Sequence, residues 1–439
     1  KLPYWVVAFS ANATGESGWL LLGLTGMGYA VGAQAYWVIV GEMIGIAASW
    51  GFISRKLKRL SDETDSITLP DVLAAKFDDR WHLIRGVAVA IIAVMVTTYV
   101  SAQMVATGKA FSGFIGLDYR AGVIIGAVII IGYTFVGGYK AVSYTDVVQG
   151  VLMLAGLIAV PLVAISAAGG WGQMTATLNE YDPGFIDMFS VLDGSTAGFV
   201  AAVSFAAIGL PFLGVPQMLI RYMSARDDTE LKKARIVSIT VLFIFLFGAV
   251  TAGIAGRALF PGLEDSEQVF PTLASELFPP LLTGVLFVIV LSAIMSTVDS
   301  LLLLASSSIV RDTMQKILGN PSSDATLAGY GKVVTVIIGV IAVFVAVYMA
   351  ENKLIFWFVL FSWSGLGAAF GPVVLALLYD RRTTGAGIVA GMLGGFLTSL
   401  VWVQFFKAGA YGLYEAIPGF TVAAVATVVV SRMTGKQSR

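Results

Sequence analysis

The sequence has no cysteine and a single histidine, His82. Without thiols the chain cannot form disulfides or thiolate metal sites, and one histidine leaves no room for a histidine-based metal cluster. Charge is scarce as well, because Asp, Glu, Lys and Arg make up 12% of the 439 residues, against about 25% in soluble domains. The net charge is zero, so no basic surface favours nucleic acid. These absences argue against an enzyme and against a nucleic-acid-binding protein.

What the chain does have is long apolar runs, with 57% hydrophobic residues and a mean hydropathy of +0.86. A membrane-spanning helix needs about 20 mostly apolar residues. Twelve segments fit, and we number them spans 1 to 12: roughly 3–29, 31–54, 83–113, 120–137, 142–168, 196–222, 233–257, 280–310, 330–350, 353–379, 385–406 and 411–431. We therefore predict one all-helical membrane domain over residues 1–439, with the lipid bilayer as its solvent.

The basic residues predict the orientation of these spans, because cytoplasmic connections are rich in Lys and Arg. If Lys1 faces the cytoplasm, 22 of the 27 basic residues lie on that side. The other side then keeps five: Lys109, Arg120, Arg257, Lys353 and Lys407. Adding or removing one span in the middle of the chain would destroy this asymmetry.

Two spans contain residues that favour a break in the helix. Span 1 carries the small and polar run Ser10–Gly18, and span 6 carries two prolines and two glycines between Gly209 and Pro216. Unwound backbone at membrane depth is tolerated only where it lines a cavity or is buried in protein. Breaks five spans apart point to an inverted-repeat transporter that binds its ligands at the breaks. The alternative is that glycine and proline are merely common in membrane helices.

Four carboxyl side chains fall inside predicted spans: Glu16, Glu42, Asp146 and Asp299. Carboxylates at membrane depth are costly and are functional candidates by default. We find no lysine or arginine placed in mid-span to pair with them, so either a bound cation or protonation would neutralise them.

Span 8 contains the clearest candidate cation site. Five residues fall within an arc of about 160° on one face of the helix: Ala293, Ser296, Thr297, Asp299 and Ser300. Hydroxyl, carboxylate and carbonyl oxygens are the ligands that a hard cation such as sodium accepts. The alternative is that the hydroxyl groups mediate helix packing.

Candidate solute contacts lie on spans 1, 3 and 6, where the aromatic residues Trp19, Tyr99 and Phe212 stand. Gln103 lies one turn from Tyr99 and offers an amide on the same face. Each aromatic residue, taken alone, fits core packing equally well. The acidic segment 264–267 is interpreted as a solvated loop.

Several motifs in order along the chain resemble the sodium:solute symporter family, closest to its bacterial sodium/proline symporters. They are SGWLLLG at 17–23, ITLPD at 67–71, YTFVGG at 133–138, AVSYTDVVQ at 141–149, GVP at 214–216, SGLGAAFGPVV at 364–374 and GLYEAIPGF at 412–420. The resemblance implies an inverted five-plus-five helix repeat like that of the leucine transporter, with spans 1 and 6 broken. Its repeats would cover about 1–168 and 196–379, followed by two peripheral helices at about 385–431. A further helix that precedes this core in the family is expected to be missing from the chain.

The resemblance also implies the binding residues. The main sodium site would use the backbone carbonyls of Ala13, Glu16 and Ala293 and the hydroxyls of Ser296 and Thr297. A second sodium, bound by some relatives, would lie at Asp146, Ser296, Asp299 and Ser300. The solute would bind at Trp19, Tyr99, Ile208, Phe212 and Pro216, and Gln103 would join them.

The expected function is sodium-coupled symport of proline, or of another small amino acid or zwitterion, by alternating access. Sodium is the coupling ion, no cofactor is expected, and the chain would act as a monomer in a bacterial inner membrane. Two alternatives remain at this point: a transporter-like sensor domain of a signalling protein, and a proton-coupled transporter.

The motifs also depart from the proline pattern. Proline carriers have Asp where Gly15 stands and an apolar residue where Glu16 stands. They have Trp and Tyr in place of Ile208 and Phe212, so the chemistry of the pocket differs.

Overall fold

The computed structural model describes residues 1–77, 79–136, 138–349 and 354–435, and these form helices apart from connections and one isolated β-bridge between Leu2 and Ala225. The first half contains α1 (Tyr4–Gly15), α2 (Thr25–Val31), α3 (Tyr36–Ala48), α4 (Ser54–Glu63), α5 (Leu69–Lys76), α6 (Leu83–Ile115), α7 (Tyr119–Val136), α8 (Tyr139–Ala167) and α9 (Trp171–Tyr181). The second half contains α10 (Thr196–Ala206), α11 (Pro216–Ser224), α12 (Asp228–Leu259), α13 (Val269–Leu277), α14 (Pro280–Ser307), α15 (Asp324–Tyr348), α16 (Ile355–Tyr379), α17 (Gly385–Val401) and α18 (Ala416–Thr434).

Several helices are joined by wider or tighter turns. The π-helical segments are Trp19–Leu24, Ser49–Ile53, Ser308–Ile317 and Trp402–Phe406, and the 3₁₀ segments are Gly32–Ala35, Ala207–Leu213 and Ser266–Gln268. Such segments often mark functional positions in helical proteins. Two of them lie beside the predicted breaks in spans 1 and 6.

Within the described residues, each of the twelve predicted spans is mainly helical, with interruptions in spans 1 and 6. Ten helical stretches of the described chain are long and apolar enough to cross a membrane. One of these, Trp19–Glu63, holds the second half of span 1 together with span 2, and span 4 corresponds to the shorter apolar helix Tyr119–Phe135. The chain reverses its direction at Gly32, whose φ of 62° lies in the left-handed region. The ends of spans 1 and 2 therefore come together, and Lys1 and Asp62 form an ion pair at one end of the bundle.

Ion pairs in the described chain separate the two ends of the bundle as the charge count predicted. The end that carries Lys1 has these pairs: Lys1–Asp62, Arg59–Asp228, Arg85–Asp71, Arg85–Asp312 and Arg432–Asp380. The opposite end has Lys109–Glu267 and Lys407–Glu415. Lys353, Lys436 and Arg439 lie outside the described residues.

Large apolar side chains cover the outside of the bundle. Val128 on α7, Leu162 on α8 and Val340 on α15 are each at least 60% exposed. Lipid tails are as apolar as these side chains, so a bilayer can surround them without the cost of exposing them to water. The exposed apolar belt is therefore the surface that faces lipid.

The interrupted spans lie at the centre of the bundle. Helix α1 packs against α8, α11, α12 and α14, while the 3₁₀ segment Ala207–Leu213 packs against α3 and α16. Helices α17 and α18 pack on each other and on α16, at the periphery. Spans 2, 5, 7, 8 and 10 consequently surround the interrupted spans 1 and 6.

Three glycines bring span 2 into backbone contact with the break in span 6. A Cβ atom on Gly41 would lie 2.1 Å from the carbonyl oxygen of Ala206. One on Gly45 would lie 2.0 Å from the oxygen of Gly209, and one on Gly209 would lie 1.9 Å from the oxygen of Gly41. Small residues at this spacing allow helices to approach closely in a membrane.

We predict that Gly41→Ala lowers the melting temperature of the detergent-purified protein by a few degrees. The added methyl group overpacks this contact, which typically costs about 1–3 kcal/mol. Gly132→Ala is the matched control, because a Cβ atom at this helical glycine would meet nothing within 4 Å. Equal melting temperatures for the two variants would contradict the close approach.

Candidate ion and solute site

The break in span 1 falls at three residues. Helix α1 ends at Gly15, Glu16 has extended backbone angles (φ −100°, ψ 92°), and helical structure resumes at Trp19. The Gln103 side chain fills the gap: its Oε1 accepts from the Gly18 N–H at 3.1 Å and its Nε2 donates to Ser17 Oγ at 3.0 Å. The predicted interruption is confirmed. Both ends of the Gln103 amide bind protein, and its role as a solute contact stays a prediction.

The break in span 6 is also confirmed. Helix α10 ends at Ala206, the 3₁₀ segment follows, and α11 begins at Pro216. Pro211 O accepts from the N–H groups of Gly214 and Val215 at 2.8 and 3.0 Å. The break therefore satisfies its own backbone in a tight turn, as membrane depth requires.

A compact group of oxygen atoms joins the end of α1 to the middle of α14. Ser296 Oγ donates to Ala13 O at 2.8 Å and lies 3.0 Å from Ala293 O. Thr297 Oγ1 contacts Ala13 O at 3.3 Å and Thr14 O at 3.2 Å. The structure thus brings together four residues of the predicted main sodium site and adds the Thr14 carbonyl. The carbonyl of Glu16 stays a predicted ligand.

A buried arginine occupies the neighbouring polar group. Asp146 pairs with Arg221 at 3.3 Å, and both side chains are at most 2% exposed. The prediction that no basic residue pairs with Asp146 is therefore wrong. Because Arg221 stands only five residues after Pro216, it lies about 7.5 Å further along the helix axis and is still inside the bundle.

The predicted second sodium ligands do not meet in one group. Asp146 and Ser300 contact Arg221, whereas Ser296 belongs to the oxygen group at Ala13. Both carboxyl oxygens of Asp299 are buried without a hydrogen-bond partner in the described chain. The binding of a second sodium ion stays a prediction, but its premise of unpaired carboxylates fails for Asp146.

Aromatic residues from three spans converge beside the breaks. Trp363 on α16 packs edge-on against Tyr99 at 6.3 Å and against Phe212 at 5.1 Å between ring centroids. A Cβ atom on Gly15 would lie 4.0 Å from the Phe212 ring, so span 1 lies against this group. Trp363 was not predicted from the sequence, because nothing in its local pattern separates it from the other apolar residues of span 10.

The remaining predicted solute residues are buried near the same breaks. Ile208 lies in the 3₁₀ segment and is 1% exposed, and Pro216 begins α11. Trp19 stacks on Phe356 at 5.5 Å, and its Nε1 has no partner in the described chain. The Tyr99 hydroxyl lies near Ser17, but its geometry makes no hydrogen bond. These side chains are closed off from both ends of the bundle.

The closure toward the end opposite Lys1 depends on Glu267. Its carboxylate pairs with Lys109 at 2.7 Å and accepts from the N–H groups of Ile355 and Phe356 at 3.0 and 2.9 Å. This cap at the start of α16 fixes Phe356 over Trp19. The interpretation of 264–267 as a solvated loop is therefore wrong for Glu267, which is 1% exposed.

Two carboxyl groups meet at the break in span 1. Glu16 and Glu42 are neighbouring carboxyl groups that interact with each other, and each is at most 3% exposed. A hydrogen bond between two carboxyl groups needs one proton, because ionised carboxylates only accept. One oxygen of each group has no partner in the described chain. The pair therefore offers buried acceptor atoms next to the aromatic group.

A membrane protein that keeps unwound backbone, hard oxygen ligands and a closed aromatic group in its interior has the design of an ion-coupled transporter. The family model for the sodium:solute symporter family matches residues 1–395. A high-affinity proline transporter of Bacillus subtilis is 36% identical, over 99% of this chain and 91% of its own. A sodium/proline symporter of Staphylococcus aureus is also 36% identical, over 99% and 86%.

The chain belongs to the sodium:solute symporter family. A solved Na⁺-coupled sialic acid symporter in an outward-open state superposes with a TM-score of 0.81 over 99% of this chain and 90% of that one, at 17% identity. The fold is accordingly the leucine-transporter-like inverted repeat that the sequence predicted, and the family consists of transporters rather than enzymes. The exact bounds of the repeats stay a prediction.

We predict that Gln103→Leu destabilises the purified protein, measured by its melting temperature in detergent. The change leaves the buried Gly18 N–H without a partner, which costs about 1–3 kcal/mol. Thr107→Val one turn away is the control, because its hydroxyl bonds only to Gln103 O in its own helix, at 2.8 Å. A loss as large in the control would show that the Gln103 side chain does not hold the break.

Proposed function

We propose that the protein carries a small zwitterionic amino acid into the bacterial cell together with sodium, and that proline is the first solute to test. The observation that carries the proposal is the contact of Ser296 and Thr297 with the carbonyls at the end of α1. This contact joins the break in span 1 to span 8 through oxygen atoms alone, and a cation would stabilise the same junction.

The oxygen atoms of this group are of the chemical type that sodium binds. Ala13 O, Ala293 O, Ser296 Oγ and Thr297 Oγ1 are hard, neutral ligands, and Glu16 O is the fifth expected from the family resemblance. A hydroxyl group has lone pairs besides its proton, so the same atoms that bond to each other here can ligate a cation. A break in a transmembrane helix exposes such carbonyls to the cavity.

The solute group fits a compact zwitterion. The free N–H of Trp19 and the hydroxyl of Tyr99 are donors for a carboxylate, and the Glu16–Glu42 pair supplies acceptors for an ammonium group. The rings of Phe212 and Trp363 would contact an apolar body such as the proline ring. Relatives named as proline transporters support the choice of proline, while the changes at Gly15, Glu16, Ile208 and Phe212 favour a test of other amino acids beside it.

Coupling follows from the shared break. Sodium at the end of α1 would fix the unwound residues Glu16–Gly18, and these residues connect directly to Trp19 in the solute group. Sodium binding would then organise the solute site before the bundle changes its accessible side. Release follows on the side where sodium is scarce.

The driving force is sufficient for strong accumulation. One inward charge gains about 2.3 kcal/mol per 100 mV of membrane potential, and a tenfold sodium gradient adds about 1.4 kcal/mol. Together these support an accumulation of a neutral zwitterion by about 500-fold with one sodium ion.

The test is uptake of radiolabelled L-proline into proteoliposomes that contain the full chain. We expect accumulation when sodium is added outside, and loss of accumulation when potassium replaces sodium or a sodium ionophore is present. Unlabelled amino acids added in turn would rank the solutes by competition.

Other outcomes would contradict the proposal. Accumulation under a proton gradient without sodium would identify a proton-coupled transporter, with Glu16 and Glu42 as the first residues to change. Saturable binding of solute and sodium without uptake would identify a sensor.

We predict that Ser296→Ala or Thr297→Ala raises the sodium concentration for half-maximal uptake by roughly tenfold, equivalent to about 1.4 kcal/mol. Each change removes one hard oxygen ligand. Ser307→Ala is the matched control on the same helix, because this hydroxyl bonds only to Leu304 O of its own helix, at 3.0 Å. An unchanged sodium requirement in both site variants would rule out this sodium site.

A further inference from the structure

The buried Arg221 side chain lies in the middle of four helices. Its Nε donates to Ser10 Oγ at 3.0 Å, and one terminal nitrogen contacts Thr14 Oγ1 at 3.0 Å, Asp146 Oδ2 at 3.3 Å and Ser300 Oγ at 2.5 Å. These partners come from spans 1, 5 and 8, and Arg221 itself comes from span 6. The guanidinium group thus meets three hydroxyl oxygens and one carboxylate oxygen, the ligand types that sodium takes.

The cationic state of this group is permanent, because arginine does not lose its proton in proteins. A sodium ion among Asp146, Ser300 and Thr14 would stand within a few Å of the guanidinium in a site closed to water. Repulsion between two cations is strong there. The residues therefore do not fit a second sodium while Arg221 is in place.

The arginine is linked to the main oxygen group through one residue. Thr14 accepts from Thr297 with its backbone oxygen at 3.2 Å and contacts Arg221 with its hydroxyl. Ser10 Oγ also donates to Asp146 Oδ2 at 2.6 Å, the same oxygen that Arg221 contacts, while Asp146 Oδ1 has no partner in the described chain. Span 1 is consequently bound to spans 5, 6 and 8 on this side by a protein charge instead of by an ion.

We propose that Arg221 is a built-in cation that takes the place of a second sodium, so that the protein binds and carries one sodium per transport cycle. The inference rests on the main sodium site proposed above, and it assigns Asp146 and Ser300 to the arginine. The carboxyl oxygens of Asp299 have no hydrogen-bond partner in the described chain, but this carboxyl interacts electrostatically with Asp146 and Arg221 and is therefore assigned to the same charge group.

The experiment counts sodium ions with radioactive sodium alone, on the detergent-purified full chain, with choline replacing sodium at constant ionic strength. We expect one saturable ion per chain in the unchanged protein, with hyperbolic binding. Arg221→Gln removes the charge and leaves its oxygen partners in place, so we expect it to bind two ions per chain.

The variant Arg221→Gln with Asp146→Asn removes both charges and guards against a folding defect caused by an unpaired carboxylate. We expect this double variant to return to one ion per chain, and melting temperatures establish that each variant is folded. Two ions in the unchanged protein would overturn the proposal. A single ion in a folded Arg221→Gln variant would overturn it as well.

The outcomes separate this inference from the proposed function. Absence of saturable sodium binding in the unchanged protein would contradict the main site and thus the proposed symport. One ion that is lost in Ser296→Ala would support the main site, and the count in Arg221→Gln then decides the role of the arginine.

Discussion

The constraint on which the structure depends is that a polar backbone group inside a membrane must find a partner in the protein. In span 1 the helix stops at Gly15 and resumes at Trp19, so some backbone groups at the break lack partners within the helix. The hydroxyls of Ser296 and Thr297 on span 8 donate to backbone carbonyls at the end of α1. The side-chain amide of Gln103 on span 3 accepts from a backbone N–H of the break. Neighbouring helices thus supply partners to the break, and the two hydroxyls among them are the proposed sodium ligands.

Close helix packing makes such an arrangement possible. Gly41 and Gly45 let span 2 touch the backbone of Gly209 in span 6, so the second break is held by contact as well as by its own turn. This approach also carries Glu42, which lies between the two glycines of span 2, to Glu16 at the first break. The small residues that allow close packing of span 2 therefore also determine where the buried carboxyl of Glu42 lies.

The two sides of the site are closed by different chemistry. Toward the Lys1 end, Arg221 joins four spans through a network of side-chain hydrogen bonds. Toward the opposite end, Glu267 caps α16 and fixes Phe356 over Trp19. Alternating access requires that one of these closures opens at a time. Because one closure is a charged hydrogen-bond network and the other a capped aromatic stack, each can open without breaking the contacts of the other.

The sequence by itself predicted the long apolar helices and the positions of both breaks, because hydropathy and helix-breaking residues act over short stretches of chain. It also predicted four residues that the structure brings together between spans 1 and 8, since they share one helix face or one family motif. Only the tertiary structure decided the partners of buried charge. Arg221 was counted among the cytoplasmic helix ends without a buried partner because chain position says nothing of which helices surround it, and Trp363 and Glu267 acquire their positions only from helices that are distant in sequence.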